Sequence, residues 1–134
     1  MKLSFFLAPV QAGFPYPADD HIEKKLDLNE LLVAHPAATF FVRVEGHSMR
    51  DAQIFDGDVL IVDRSLQPES GSIAVAIING EFTVKRLLKK KDRLYLMAEN
   101  PAFPSIEISP EMDFQIWGIV TYVIHKVRTD HKWV

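Results

Sequence analysis

Few residues in this chain carry side chains able to make or break a bond, and a serine and a lysine are the most suggestive of them. Ser48 stands in Gly46-His47-Ser48-Met49, just past an apolar run, and Lys85 lies 37 positions later inside Phe82-Thr83-Val84-Lys85-Arg86-Leu87. A serine hydroxyl is a weak nucleophile until a base takes its proton, and lysine replaces histidine as that base in Ser-Lys dyads. Each residue also has a plain structural reading. A serine beside glycine suits a turn, and a lone lysine on a strand is often an edge-strand charge that discourages aggregation. Strand alternation adds one constraint: Lys85 and Arg86 must point to opposite faces, so one of these cations faces inward or into a groove.

Other chemistries find less support. The five histidines, His21, His35, His47, His125 and His131, show no His-x-x-x-His or His-Glu spacing that would hold a metal, so no metal and no cofactor is expected. Asp51, Asp56, Asp58 and Asp63 cluster in sequence, but aspartate is the ordinary residue of turns and strand ends. The basic stretch Lys85, Arg86, Lys89, Lys90, Lys91 and Arg93 has its centre where a loop must join two strands and reads as solvated, with Lys85, inside a strand, as the exception. No glycine-rich phosphate loop occurs. With no cysteine, a disulfide framework, a thiol nucleophile and cysteine-ligated metal sites are excluded.

The elements that must position Ser48 and Lys85 follow from composition and pattern. The 134 residues are 48% hydrophobic and 25% charged, a globular composition with room for one domain core. Lys and Arg number 15 against 18 Asp and Glu, and the net charge of -3 is too acidic for non-specific coating of nucleic acid. Lys2 and the apolar run to Val10 imitate a secretory signal but are too short for one, and no stretch reaches the length of a membrane span. A cytoplasmic protein without a membrane partner is expected.

Gly13-Phe14-Pro15-Tyr16-Pro17 predicts an extended arm, because proline restricts itself and the residue before it. Two acidic cap signals follow, Asp20 with Glu23 and Asp27 with Glu30, and predict one or two short helices between Asp20 and His35. Beyond Pro36 the pattern turns to β. Strands are expected over Thr39–Val44, Asp58–Asp63, Ser72–Ile78, Glu81–Leu87, Arg93–Ala98 and Phe114–Val127. Asn79-Gly80 predicts a type I′ hairpin joining the third and fourth. The last run is apolar on both alternating faces, as for a strand with the core on one side and a partner or second sheet on the other. It is the candidate dimer surface, with Ile119 and Val123 as the residues to test. The fold class expected is mainly β: a compact, multi-stranded antiparallel domain over residues 38–134, preceded by an arm with short helices over residues 1–37.

Taken in order along the chain, several short motifs resemble the LexA/UmuD family of self-cleaving Ser-Lys proteins. They are Val10-Gln11-Ala12-Gly13-Phe14-Pro15, Leu26-Asp27-Leu28-Asn29-Glu30-Leu31-Leu32, Gly46-His47-Ser48-Met49, Asp56-Gly57-Asp58, Gly80-Glu81-Phe82-Thr83-Val84-Lys85, and Asn100 with Pro104 to Ile108. The resemblance covers nearly the whole chain. It implies the LexA/UmuD-type β domain, Ser48 as nucleophile, Lys85 as general base, the backbone N–H groups of His47 and Ser48 as oxyanion hole, and Ala12-Gly13 as the bond cut. It also implies a homodimer of the SOS response, stimulated by RecA filaments on single-stranded DNA, whose processed form joins a UmuC-like subunit of an error-prone translesion polymerase. With only twelve residues before the junction, operator binding through a helix-turn-helix is not expected, and neither is direct sequence-specific DNA binding. Competing readings are a non-cleaving polymerase accessory module with a vestigial site, and a signal-peptidase-like enzyme acting on other proteins.

Ser-Lys chemistry sets one physical requirement. A lysine in water has a pKa of about 10.4 and is charged at neutral pH, so Lys85 must be desolvated to serve as a base. Thr83 and Leu87 share its strand face and are expected to supply an apolar wall with one hydroxyl.

Overall fold

A computed structural model describes residues 2–6 and 22–127. The chain divides into two compact units, residues 1–34 and 35–134.

In the first unit, β1 (Lys2–Phe6) and β2 (Ile22–Asp27) pair antiparallel, with Leu3 opposite Leu26. The helix expected from Asp20 and Glu23 is therefore a strand. A helix of so few residues does not persist on its capping signals alone, and a ladder of backbone hydrogen bonds with residues 2–6 satisfies the same groups. The second signal does start a helix. Asp27 accepts the Asn29 N–H at 3.0 Å, and α1 (Leu28–Leu32) follows. The predicted arm, Gly13 to Pro17, lies outside the described residues.

The second unit is one seven-stranded antiparallel sheet built from β3 (Thr39–Arg43), β4 (Val59–Asp63), β5 (Ile73–Ile78), β6 (Glu81–Lys90), β7 (Arg93–Met97), β8 (Ile106–Glu107) and β9 (Phe114–Ile124). Their order across the sheet is β3-β4-β9-β5-β6-β7-β8. The chain's last strand thus lies near the middle, between β4 and β5. The Asn79-Gly80 hairpin forms as its dipeptide demands, with φ of 48° and 85° and Ile78 opposite Glu81. The basic stretch differs from expectation: β6 runs on through Lys90, and only Lys91 and Asp92 make the turn into β7.

β5, Ile-Ala-Val-Ala-Ile-Ile, is apolar on both faces because both are covered. Val75 belongs to one buried cluster with Val44, Met49, Ile54, Leu60 and Val62. Ala74 and Ala76 belong to the other, with Leu87, Leu96 and Ile119.

β9 explains its own two-faced pattern by slipping register twice. Against β5 it bulges at Trp117 and against β4 at Thr121. A bulge leaves one residue without ladder partners, and each here is satisfied otherwise. Arg64 Nε donates to the Trp117 carbonyl at 2.8 Å with its guanidinium 4.6 Å from the ring centre, and Thr121 Oγ1 donates to the Ile61 carbonyl at 3.2 Å. These slips turn Ile119 into the second core at 7% exposure while Tyr122, Val123 and Ile124 stay exposed. Ile119 is therefore a core residue and no surface probe; Val123 remains one.

Between the two bulges Gly118 permits close strand approach. A Cβ there would stand 2.5 Å from Val62 Cγ1 and 3.2 Å from Arg64 Cγ. Gly118→Ala is expected to destabilise folding by about 1–3 kcal/mol through this overpacking. Urea unfolding measures it, and an unchanged midpoint contradicts the packing described.

Candidate active site

Ser48 sits in the loop between β3 and β4, which loops out and returns under tight backbone control. At its base, the Val44 N–H donates to the Asp58 carbonyl at 2.8 Å and the Gly57 N–H to the Val44 carbonyl at 2.9 Å. The clustered aspartates hold this loop. Asp56 Oδ1 accepts the Gly46 N–H at 2.8 Å, and Asp58 Oδ2 accepts the Phe55 N–H at 2.8 Å. Asp58 also meets His125 Nδ1 at 2.6 Å, and Asp63 meets His35 Nδ1 at 2.6 Å while accepting from the Ser65 N–H and hydroxyl. These hydrogen bonds, led by that of the Ser65 hydroxyl, hold the Asp63 carboxyl below the usual carboxylate range. The aspartates are structural. Met49 and Ile54, almost fully buried, pin the loop into the first core.

Lys85 approaches from β6. Its Nζ lies 3.0 Å from Ser48 Oγ, 3.0 Å from Thr83 Oγ1 and 3.2 Å from the Val84 carbonyl. The residue is 9% exposed, whereas Arg86 turns to the other face and forms an ion pair with Glu99. Of the two adjacent cations, Lys85 is the one taken inside. Opposite it on β5 stands Ala74, and opposite Thr83 stands Ala76, so the neighbouring strand presents only methyl groups there. Leu87, two residues along the strand, is buried. Thr83 supplies the expected hydroxyl and Leu87 the expected apolar surface.

Desolvation by this burial pushes the Lys85 amine below its ordinary value of 10.5. Its three contacts fit both protonation states. An ammonium donates to all three oxygens; a neutral amine has two N–H donors and one lone pair. On losing a proton the nitrogen can keep its bonds to Thr83 and Val84 and accept from the Ser48 hydroxyl. Such a nitrogen is arranged to deprotonate a serine.

Next to Ser48 a cleft of about 320 Å³ is lined by Val42, Val44, Gly46, Met49, Phe82 and Val84 among others. Phe82 also reaches Trp117, with ring centres 5.9 Å apart, and Trp117 meets Phe40 at 5.2 Å. The cleft wall is thus mixed: valines, Met49 and Phe82 line it together with Arg43, Glu45 and Thr83.

His47 is exposed and adjoins Ser48. Ala12, Gly13, His21 and His131 lie outside the described residues. Among the described residues, no group of three or more His, Cys, Asp or Glu could hold a metal ion, and no helix is long and apolar enough to cross a membrane. Sequence reasoning missed the role of residues 99 and 100. The Glu99 N–H donates to the Ser48 carbonyl at 2.8 Å, and Asn100 Nδ2 donates to the His47 carbonyl at 2.8 Å.

A family model, Peptidase S24-like, matches residues 5–121. The chain belongs to that family. It is 50% identical over 122 residues to Protein MucA of Salmonella typhimurium, covering 90% of this chain and 83% of the relative. It is 48% identical over 119 residues to Protein ImpA of Shigella flexneri, covering 88% and 80%. Over 118 residues it is 40% identical to the LexA repressor of Pseudomonas chlororaphis, covering 87% of this chain and 58% of that protein. The resemblance drawn from the short motifs is thereby shown, and the antiparallel sheet agrees with the β domain it implies. These S24 relatives place the chain among UmuD-like proteins of the SOS response, in a family of self-cleaving serine peptidases.

A lowered Lys85 pKa has a thermodynamic consequence. Between the lowered value and 10.5 the unfolded chain binds more protons at this site than the folded one, so stability rises with pH through that window. Lys85→Met removes the effect. Compared in a Ser48→Ala background by chemical denaturation, the variant's advantage over Lys85 is expected to shrink as pH rises from neutral towards 10.5. A difference independent of pH contradicts a desolvated lysine.

Proposed function

We propose that this S24-family chain cuts its own Ala12-Gly13 bond with Ser48 as nucleophile and Lys85 as general base. The observation that carries the proposal is the 3.0 Å contact between Lys85 Nζ and Ser48 Oγ, made by a lysine that burial drives towards its neutral form. Neutral Lys85 takes the hydroxyl proton as Ser48 Oγ attacks the Ala12 carbonyl carbon. The N–H groups of His47 and Ser48 stabilise the oxyanion. Collapse breaks the bond to Gly13, whose nitrogen receives the proton from Lys85, and water then hydrolyses the acyl-serine by the same base.

Several features support this substrate. Alanine and glycine at the cut let backbone approach the nucleophile closely, and Phe14-Pro15 keeps the following chain extended for docking as a strand. The cleft beside Ser48, with apolar side chains from Val42, Val44 and Phe82, suits such a segment.

Family membership supports the following cellular role. The protein acts in the cytoplasm as a homodimer, cleavage is stimulated by RecA filaments on single-stranded DNA, and the processed dimer serves a UmuC-like subunit in translesion synthesis. The proposed dimer surface is the exposed end of β9 at Tyr122, Val123 and Ile124, where Val123 points to one side of the sheet and Tyr122 and Ile124 to the other, the side of Phe41 across β4.

Intact-mass spectrometry tests the proposal. Wild type should lose Met1 to Ala12, faster as pH rises and with RecA filaments present, whereas Ser48→Ala and Lys85→Ala should stay whole. A wild type uncut in every condition favours a non-cleaving accessory module. Native spectra of the same samples should show a dimer that Val123→Glu converts to monomer; an unchanged dimer removes β9 as the interface.

A further inference from the structure

Where β7 ends, Glu99 and Asn100 leave the sheet and run past the nucleophile loop. Pro101 restricts Asn100 to extended backbone. The Asn100 side chain, in a residue only 8% exposed, is oriented by two bonds: Oδ1 accepts the Ala102 N–H at 3.0 Å, which leaves Nδ2 to donate to the His47 carbonyl at 2.8 Å. One residue earlier, the Glu99 N–H holds the Ser48 carbonyl at 2.8 Å and the Glu99 carbonyl receives the Asp51 N–H at 2.7 Å.

Both peptide units flanking the Ser48 Cα are therefore fixed by two consecutive residues of a distant strand end. A trans peptide is planar, so its C=O and N–H point in opposite directions. Turning the His47 carbonyl towards Asn100 aims the Ser48 N–H the other way. Fixing both flanking carbonyls sets the backbone torsions at Ser48 and leaves its side chain one soft rotation, about χ1, with Lys85 Nζ 3.0 Å from Oγ. On the opposite side, the Glu99 carboxylate pairs with Arg86, the residue next to Lys85. The same short segment thus touches the strand that carries the base.

We infer that Asn100 is a positioning residue for Ser48: through the His47 carbonyl it aims the Ser48 N–H at the oxyanion and holds Oγ in line with Lys85. The inference rests on Ser48 being the nucleophile, and it is independent of which bond is cut. Asn100 touches no reacting atom. Its effect is on the rate at a given state of Lys85, not on the protonation of Lys85.

The test uses the full chain and a fluorophosphonate probe. Ser48 Oγ forms a bond to phosphorus, the phosphorus–fluorine bond breaks, fluoride leaves and the hydroxyl proton passes to Lys85; the phosphonyl oxygen occupies the oxyanion position. Labelling followed by intact mass across pH gives a plateau rate and a midpoint. Asn100→Asp keeps the shape and the acceptor for Ala102 but sets a carboxylate oxygen against the His47 carbonyl. Its plateau is expected to fall on the order of 10²-fold, the scale of a misplaced reacting group, with the melting temperature lowered by the buried carboxylate. The uncharged Asn100→Ala should fall similarly, with its midpoint close to wild type.

Plateau rates within twofold of wild type in both variants overturn the inference. So does a midpoint that shifts along with the rate in Asn100→Ala, or loss of the folded state in both, since either makes Asn100 a support of the fold at large. A wild type that labels at Ser48 but never loses Met1 to Ala12 refutes the self-cleavage reading and leaves this one standing.

Discussion

Taking a lysine amine out of water while giving it three oxygen partners constrains everything else in the second unit. Desolvating an ammonium costs several kcal/mol unless its protons are satisfied, and burial shifts the balance towards the neutral amine. Lys85 meets both conditions. Thr83 and Val84 are its neighbours on the strand, so two of the three partners come with the local sequence of β6, and only Ser48 must be delivered from elsewhere. The hairpin turn at Asn79-Gly80 sets the register that places the methyl groups of Ala74 and Ala76 across from Lys85 and Thr83. Larger residues at those two positions would compete with the lysine for space.

Delivery of Ser48 is the harder part of the design, because loops are ordinarily the mobile part of a domain. Here the loop is held from three directions. Met49 and Ile54 are buried in the first core, Asp56 and Asp58 close it with side-chain bonds to backbone N–H groups, and residues 99 and 100 grip both carbonyls around the serine. A nucleophile on a rigid loop needs little reorganisation during reaction, which is how pre-organised sites lower a barrier. The sheet beneath is equally committed: β9 slips twice to feed two cores, and each unpaired bulge residue is met by Arg64 or by its own hydroxyl.

Much of this was legible in the sequence, and the limits are physical. Six main strands, the type I′ hairpin and the opposite orientation of Lys85 and Arg86 follow from period-two patterning and from the torsions that only certain residues tolerate. Ser48 and Lys85 stood out by residue type and became compelling through the ordered family motifs. The strand at Ile22–Asp27 was hidden because its partner lies at the far end of the arm, and a helix cap signal at Asp20 spoke more loudly than a pairing that only tertiary context shows. The two-residue strand β8 carries too little pattern to be seen. The bulges of β9 could not be read because an extra residue changes the face of everything after it, which is why Ile119 looked as accessible as Val123. Asn100 appeared only as part of a motif, since nothing in a linear sequence tells which carbonyl an amide will reach.

Self-cleavage by Ser48 requires beside it a lysine whose pKa is lowered, and the most direct measurement is the titration of that one side chain. In full-length Ser48→Ala protein labelled at lysine with ¹³C and ¹⁵N, the Lys85 Cε and Nζ resonances, assigned by their loss in a Lys85→Met control, report its protonation as pH is varied. The structure predicts a midpoint clearly below the ordinary value of 10.5 while the exposed lysines titrate normally. A Lys85 that titrates together with the surface lysines would contradict the account at its root.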